Sequence, residues 1–348
     1  VHGLFDWLAS WAMAHARGSS TRLFALLYAV GVLVTVFLSN DATAVVLTPA
    51  VLAVVKKAGA KDPLPHLFAC AMIANAASFV LPISNPANLL LYRHDMPTLG
   101  RWLATYALPS LLSIGATFVV LRAWFASALR ERLERSAATP MPRSAKLVAV
   151  GLVLVTATLV LASLLGWELG LPTFVASLVI ALLVSLAMGT RPQKLLSAVS
   201  WTTLLLVAAL FVLVAGGKQL GALRYTEHAL AWARAQPPHV GIPVVGGTIA
   251  FANNLFNNLP VGLLTGATLK ATHESGALAS AAVIGVDLGP NLAVTGSLAT
   301  ILWLIALRRE GQRVRFLDFM KIGAVVMPVA LIAALAGLWL ETLLQGAS

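Results

Sequence analysis

The stretch "FLSNDATAVVLTP", residues 37–49, places a charged Asp41 in a chain that otherwise avoids charge. Leu23 to Asn40 runs 18 residues without a charged side chain, and Ala42 to Val55 runs another 14. Between them stand Ser39, Asn40, Asp41 and Thr43. Backbone amides cannot be left bare in lipid, so an irregular polar centre must face protein or a water-filled cavity. The economical solution is a re-entrant hairpin over residues 23–55 with its tip at Ser39–Asn40–Asp41.

The rest of the chain fits a membrane setting. Of 348 residues, 59% are hydrophobic and 11% charged, with a mean hydropathy of +0.87, whereas soluble domains average about 25% charged residues. Uncharged runs at Trp102–Leu121, Leu147–Trp167, Leu171–Thr190, Leu195–Gly217 and Ile322–Leu340 hold 19 to 23 residues each. Each is long enough to cross a hydrocarbon core of about 30 Å as a helix. A β-barrel would instead show alternating segments of about 10 residues. The expected class is an all-α polytopic membrane protein whose principal partner is the lipid bilayer.

A second uncharged run, Ala235–Leu269, has 35 residues, too many for one crossing. Its centre reads "FANNLFNNLP", which places another hairpin at 239–270 with its tip at Asn257–Asn258–Leu259–Pro260. At a constant offset of 217 residues, Asn40 falls on Asn257, Asp41 on Asn258 and Thr48 on Thr265. At an offset of 212, "ANAASFVLPISNPANLLL" (74–91) falls on "VDLGPNLAVTGSLATILW" (286–303), matching Asn75 to Asp287 and Asn85 to Ser297. In both, Pro, Gly, Asn and Ser interrupt an apolar run, the sign of a discontinuous helix; the breaks fall within 66–92 and 276–307. Pro49, Pro82 and Pro86 read as break formers.

Charge sets the orientation. With each hairpin returning to its own side, the loops at 17–22, 56–61, 122–146, 191–194 and 308–321 share one face and hold 18 of the 24 Lys and Arg residues. The positive-inside rule puts that face in the cytoplasm. It also accounts for the net charge of +11 without nucleic acid as a partner. The hairpins then open to opposite sides, which is inverted topology. The expected division is a first repeat at 1–121, a basic cytoplasmic linker at 122–146, read as a solvated loop, and a second repeat at 147–348. The second repeat carries three spans before its amphipathic segment. The first begins at one, "VHGLFDWLASWAMAHARGSSTR" (1–22), with Leu4, Phe5, Leu8, Trp11 and Ala12 at helical spacing. Such a segment lies in the interface, and symmetry implies about three N-terminal spans that the first repeat lacks.

Of the 13 acidic residues, only Asp41 and Asp287 lie deep in apolar sequence. An ionisable group there is costly and marks an ion or substrate path; the dull alternative is a helix cap after the hairpin tip. Both are candidate proton carriers. Ser39, Asn40, Thr43, Asn75, Ser84, Asn85, Asn88, Asn257, Asn258, Asn291, Thr295 and Ser297 are candidate substrate-binding residues, each equally able to satisfy unwound backbone. Seven histidines without paired spacing and the single Cys70 offer no metal site or disulfide, and "GGKQ" (216–219) lacks the phosphate-loop pattern. No cofactor, metal or intrinsic ATP hydrolysis is expected. An intramembrane aspartyl protease would need GxGD, and "GVDL" (285–288) lacks the second glycine.

"FLSNDATAVVLTP", "ISNPANLLLY" (83–92) and above all "GVDLGPNLAVTGSLATILWL" (285–304) resemble the arsenite-efflux permeases (ArsB) of the ion transporter superfamily, which also holds NhaD-like exchangers. The likeness runs over essentially the whole chain. It implies a secondary transporter of the cytoplasmic membrane that extrudes arsenite and antimonite as neutral trihydroxides in exchange for protons. It also implies, in some members, a separate cytoplasmic ATPase subunit. The "SNPAN" break is shared with relatives that move carboxylate anions or exchange Na⁺ for H⁺, so that reading stands as the alternative.

Overall fold

The computed structural model describes residues 3–92, 96–137, 139–165, 167, 170–189 and 201–346. It is all-helical; among the described residues the one bridge between extended segments is Ser19 with Arg132.

Helix α1 (Leu4–Ala16) buries Leu4, Phe5, Ala9, Ala12, Met13 and Ala16 against the next helix, α2 (Ser20–Phe37). The expected apolar stripe is displaced by about one residue, since Leu8 and Trp11 are only half-buried. Ser19 starts α2 by accepting a hydrogen bond from the Arg22 amide. Its 18 residues extend about 27 Å. The chain then reverses at Leu38–Ser39 and returns through α3 (Asn40–Ala42), a π turn (Thr43–Leu47) and α4 (Thr48–Lys57). Pro49 does not break this limb. It occupies the first turn of α4, where its missing N–H is tolerated, and the π turn just before it absorbs the altered bonding.

α5 (Leu64–Ala76) leads through a 3-10 turn at Pro82–Ser84 into the short α6 (Pro86–Leu91). Then follow α7 (Leu99–Trp124), α8 (Arg143–Leu164), α9 (Gly170–Ala187), α10 (Trp201–Gln219) and the amphipathic α11 (Ala222–Arg234). The start of the span expected at 195–217 lies outside the described residues. α12 (Pro238–Phe256) and α13 (Asn258–Thr272) flank a tip at Asn257. α14 (Ala277–Leu288) gives way to 3-10 turns at Gly289–Asn291 and Val294–Gly296, then α15 (Leu298–Arg309) and α16 (Phe316–Gly346). Two helices joined at a polar tip and then an interrupted helix therefore occur in that order twice.

Among the described residues, α2, α7, α8, α9 and α16 are long and apolar enough to cross a membrane. The core centres on α5 and α14, in which Pro65–Ala76 and Leu278–Leu288 are buried throughout. By contrast α8 and α9 expose Leu154, Leu161, Leu164, Leu171 and Phe174, which is a solvated surface when the solvent is lipid. Small residues bring α12 and α14 together: a Cβ on Gly285 would collide with the Gly246 carbonyl, and one on Gly289 with that of Ala250.

Four of the basic segments meet, and the loop at 191–194 lies outside the described residues. The linker is exposed over most of its described length and pinned at its middle: Leu129 and Leu133 are buried, the Thr21 hydroxyl donates to Leu129 O, and the Leu133 amide donates to Gly18 O. The Glu134 amide donates to Ala58 O, and the Lys61 amide donates to the Glu131 carboxylate. Lys56 Nζ reaches Glu310 O at 3.3 Å. Segments 17–22, 56–61, 129–134 and 308–312 thus lie together.

Candidate transport site

Breaking a helix inside a membrane frees carbonyls at one end and amides at the other, and each must find a partner. At the end of α14, Asn253 Nδ2 donates to Gly285 O and Val286 O, both at 2.9 Å, and Asn254 Nδ2 donates to Gly289 O at 3.1 Å. At the end of α5, Asn291 Nδ2 donates to Met72 O at 3.0 Å and the Ser113 hydroxyl donates to Ala76 O at 3.0 Å. On the far side of the breaks, Asn85 Oδ1 accepts from the Ala87 amide to cap α6. Ser297 caps α15 in a reciprocal box with Thr300. Side chains therefore replace the lost helical bonds.

The two breaks also hold each other. Asn85, the cap of α6, donates through Nδ2 to Asp287 Oδ1 near the end of α14. Ser297, the cap of α15, donates to Asn75 Oδ1 near the end of α5 at 3.5 Å, and Asn75 Nδ2 donates to Asn291 Oδ1 at 2.9 Å. Asp287 is fully buried, with the side chains of Ser78, Asn85 and Asn88 around its carboxyl group. Its Oδ2 has no hydrogen-bond partner, and neither has the buried Asn88 Oδ1. Asn88 Nδ2 is occupied by Ser78 O at 2.9 Å. Among the described residues the ion pairs are Arg234–Glu274 and Arg315–Asp318, so no cation balances Asp287.

The hairpin tips sit on the breaks. Ser84 donates to Val36 O at 2.9 Å, tying the first break to the end of α2. Asn257 Nδ2 donates to Thr295 O at 3.1 Å, Thr295 donates to Asn254 O, and the Ala293 amide donates to Asn254 Oδ1. Asn257 has φ 70° and ψ 150°, a region that glycine alone enters freely and that costs other residues about 1–3 kcal/mol. Strain of this kind gathers where a tip must present its groups in one way. Asn258, next to it, is buried with Oδ1 unpartnered. In the first tip Ser39 caps α3 by accepting from the Ala42 amide, Asn40 Oδ1 accepts from the Asp41 amide, and Thr43 bonds Thr35 at 2.8 Å. Asp41 is half-buried, and its carboxylate has no hydrogen-bond partner among the described residues.

The candidate residues thus gather at two tips and two interlocked breaks. Most of the neutral ones are engaged within the protein; among the described residues of the site, the buried acceptors without a donor are Asp287 Oδ2, Asn88 Oδ1, Asn258 Oδ1 and Asn253 Oδ1. Asn253, Asn254 and Ser78 were not singled out from the sequence. Asn253 lies in the last turn of α12, four residues before the tip residue Asn257, and that spacing was the available signal.

A buried carboxyl and capped half-helices at the meeting of two breaks, within an apolar helical body, define a membrane transporter of the secondary class. The chain belongs to the CitMHS family, whose sequence profile, described as citrate transporter, matches residues 2–288. It is 26% identical to the arsenical pump membrane protein of Escherichia coli K12, over 97% of this chain and 82% of that one. It is 25% identical to an uncharacterized transporter of Mycobacterium tuberculosis, over 99% and 83% of the two chains. The fold is shared with the crystal structure of the Alcanivorax borkumensis YdaH transporter, described as having an unusual topology. That match has a TM-score of 0.60 and 18% identity, and covers 97% of this chain and 84% of that one. The ArsB-like resemblance read from the sequence holds.

Proposed function

We propose that the chain exports arsenite and antimonite, as neutral trihydroxides, across the cytoplasmic membrane in exchange for protons. Asp287 is the principal proton carrier, and Asp41 lies at the first tip. The observation that carries this reading is the Asp287 corner, a buried carboxyl with no cation beside it among the described residues and with two acceptors, its own Oδ2 and Asn88 Oδ1, lacking a donor. A proton on the carboxyl is the missing donor. A small neutral triol matches a site of amides and hydroxyls without Lys or Arg, and the arsenical pump relatives support that substrate. A cytoplasmic ATPase subunit as partner rests on the resemblance alone.

In the same reading the halves are inverted repeats. At the 212-residue offset the pair Asn85–Asp287 maps onto Ser297–Asn75, so each side of the interface repeats the other's contact with roles exchanged. Such reciprocity is the mark of a two-fold relation. The contact among segments 17–22, 56–61, 129–134 and 308–312 supports their sharing the cytoplasmic face.

The second reading, export or exchange of a carboxylate such as citrate, is favoured by the family's description. It is disfavoured by the missing positive charge, since an anion of that kind calls for Lys or Arg at the site. Accumulation of radiolabelled arsenite in everted vesicles under an imposed pH gradient tests the proposal. Citrate-driven proton movement with no arsenite accumulation would replace it with the second reading.

A further inference from the structure

Asp287 is sealed inside the protein, and a proton carrier needs a route for its proton. Among the described residues, a polar track runs toward it. Tyr92, at the end of α6, is half-buried beside the loop that leads to α7, and its hydroxyl meets that of the fully buried Tyr106 at 3.0 Å. Ser280, one turn into α14, lies against both phenols. It is seven residues, two helical turns, before Asp287, so both point from the same face of α14. On α6, antiparallel to this face, Tyr92 is four residues beyond Asn88, which borders Asp287. The Tyr106 ring packs edge-on against Phe79, next to Ser78, a second neighbour of Asp287, and Tyr106 lies within electrostatic reach of Asp287 itself.

The surroundings keep this track in place. Trp102 donates through Nε1 to Phe79 O and stacks beside Tyr106 with ring centres 4.5 Å apart. It also meets Tyr92 edge-on at 5.7 Å. The hydroxyls are thus enclosed in an aromatic sleeve. Among the described residues, the titratable groups facing the track are Tyr92, Tyr106 and Asp287. The other polar groups that α5, α6, α12 and the breaks bring to Asp287 are Asn75, Ser78, Asn85, Asn88 and Asn253, none of which titrates in this range.

We propose that Tyr92, Tyr106 and Ser280 form the proton path between Asp287 and the end of the molecule that carries Arg101 and Lys270. Each hydroxyl accepts a proton on an oxygen lone pair and gives up its own to the next group. No hydrogen bond joins Ser280 or Tyr106 to Asp287 among the described residues, and seven residues of helix span about 10 Å, so water carries the last step. One proton enters at Tyr92, one reaches Asp287, and the carboxylate becomes a carboxylic acid with no other group changed. Asn88 Oδ1, buried without a donor, accepts the hydrogen bond of the new acid. This inference rests on Asp287 being the proton carrier.

The test uses the full-length protein in liposomes loaded with a pH-sensitive dye. Proton movement on arsenite addition is compared with arsenite–arsenite counterflow at equal pH, which requires no net proton transfer. A positioned proton-transfer group contributes about 100-fold or more, so Tyr106→Phe is expected to slow proton movement at least about tenfold while counterflow stays within about twofold. Tyr92→Phe, at the half-buried end, keeps the same packing and is expected to do likewise, so the test survives if one variant folds poorly. Normal proton movement in both tyrosine variants, with movement lost in Asp287→Asn, overturns the path alone. Normal movement in Asp287→Asn removes the carrier and the path together.

Discussion

Replacing Asp287 by Asn should leave the protein folded and stop pH-driven transport. Asn retains Oδ1, so the bond from Asn85 Nδ2 survives. What it loses is charge assistance: a hydrogen bond to a charged group contributes about 1.5–3 kcal/mol and a neutral one about 0.5–1.5, a loss of about 1 kcal/mol. In return Oδ2, which has no donor, becomes an N–H₂ beside Asn88 Oδ1, which has none either. That new bond returns about 1 kcal/mol. The two changes offset, and the net effect on stability is within about 1 kcal/mol. Asp287→Leu differs in kind, because it leaves Asn85 Nδ2 buried and unpaired at about 1–3 kcal/mol. The assay pairs the thermal midpoint of monodisperse protein in detergent with arsenite accumulation in everted vesicles. An Asp287→Asn protein that accumulates arsenite at the normal rate would refute the carrier role. One less stable than Asp287→Leu would refute the hydrogen-bond reasoning.

At Gly266 a Cβ would lie 2.6 Å from Leu91 O and 2.9 Å from Leu90 O, all backbone, so Gly266→Ala should cost about 1–3 kcal/mol by overpacking α13 against α6. Gly247→Ala, with open space around the added carbon, should instead stabilise its helix by up to about 1 kcal/mol; thermal midpoints separate the two. Asn257→Gly relieves about 1–3 kcal/mol of backbone strain but forfeits the bonds to the Leu259 amide and Thr295 O, each about 0.5–1.5 kcal/mol. Its stability should hardly move while the KM for arsenite rises; an unchanged KM removes the tip from substrate binding. In a Cys70→Ala background, cysteines at Arg132 and Arg234 should label from opposite sides of the membrane, and labelling from one side refutes the orientation.

The chain reversals and helix breaks were legible because lipid tolerates few exceptions; that each hairpin returns to its own side of the membrane is part of the proposal. Uncharged runs too long for one crossing, each with Asn, Pro and Ser at the centre, left few other solutions. Both tips and both breaks occur where those residues stand. Other features were hidden because they depend on contacts between distant segments. Asn253 and Asn254 read as part of a hairpin limb, yet they close the carbonyls freed at the end of α14. Tyr106 and Ser280 gain meaning only when α7 and α14 are brought together. Pro49 misled because proline was weighed without the π turn that accommodates it, and in the otherwise exposed linker the charge concealed the anchoring Leu129 and Leu133.

The two break corners share a geometry but differ in what they can do. At one, Asn75 is tied to both Asn291 and Ser297, and its amide nitrogen and oxygen are each engaged. At the other, Asp287 holds Asn85 through one oxygen, and the second oxygen and Asn88 Oδ1 stand without donors. A proton arriving at the interface therefore alters the bonding of only one corner. That corner's partner, Asn85, is the cap of α6. α6 lies in backbone contact range of α13 at Gly262 and Gly266, and α13 is the outgoing limb of the second hairpin. On the proton-carrier reading, loading Asp287 changes the hold on the α6 cap and through it the seat of the Asn257–Asn258 tip, while the Asn75 corner stays fixed. Coupling between proton and substrate then needs no charge beside the substrate. It needs a rigid corner and a responsive one joined to opposite ends of the same site.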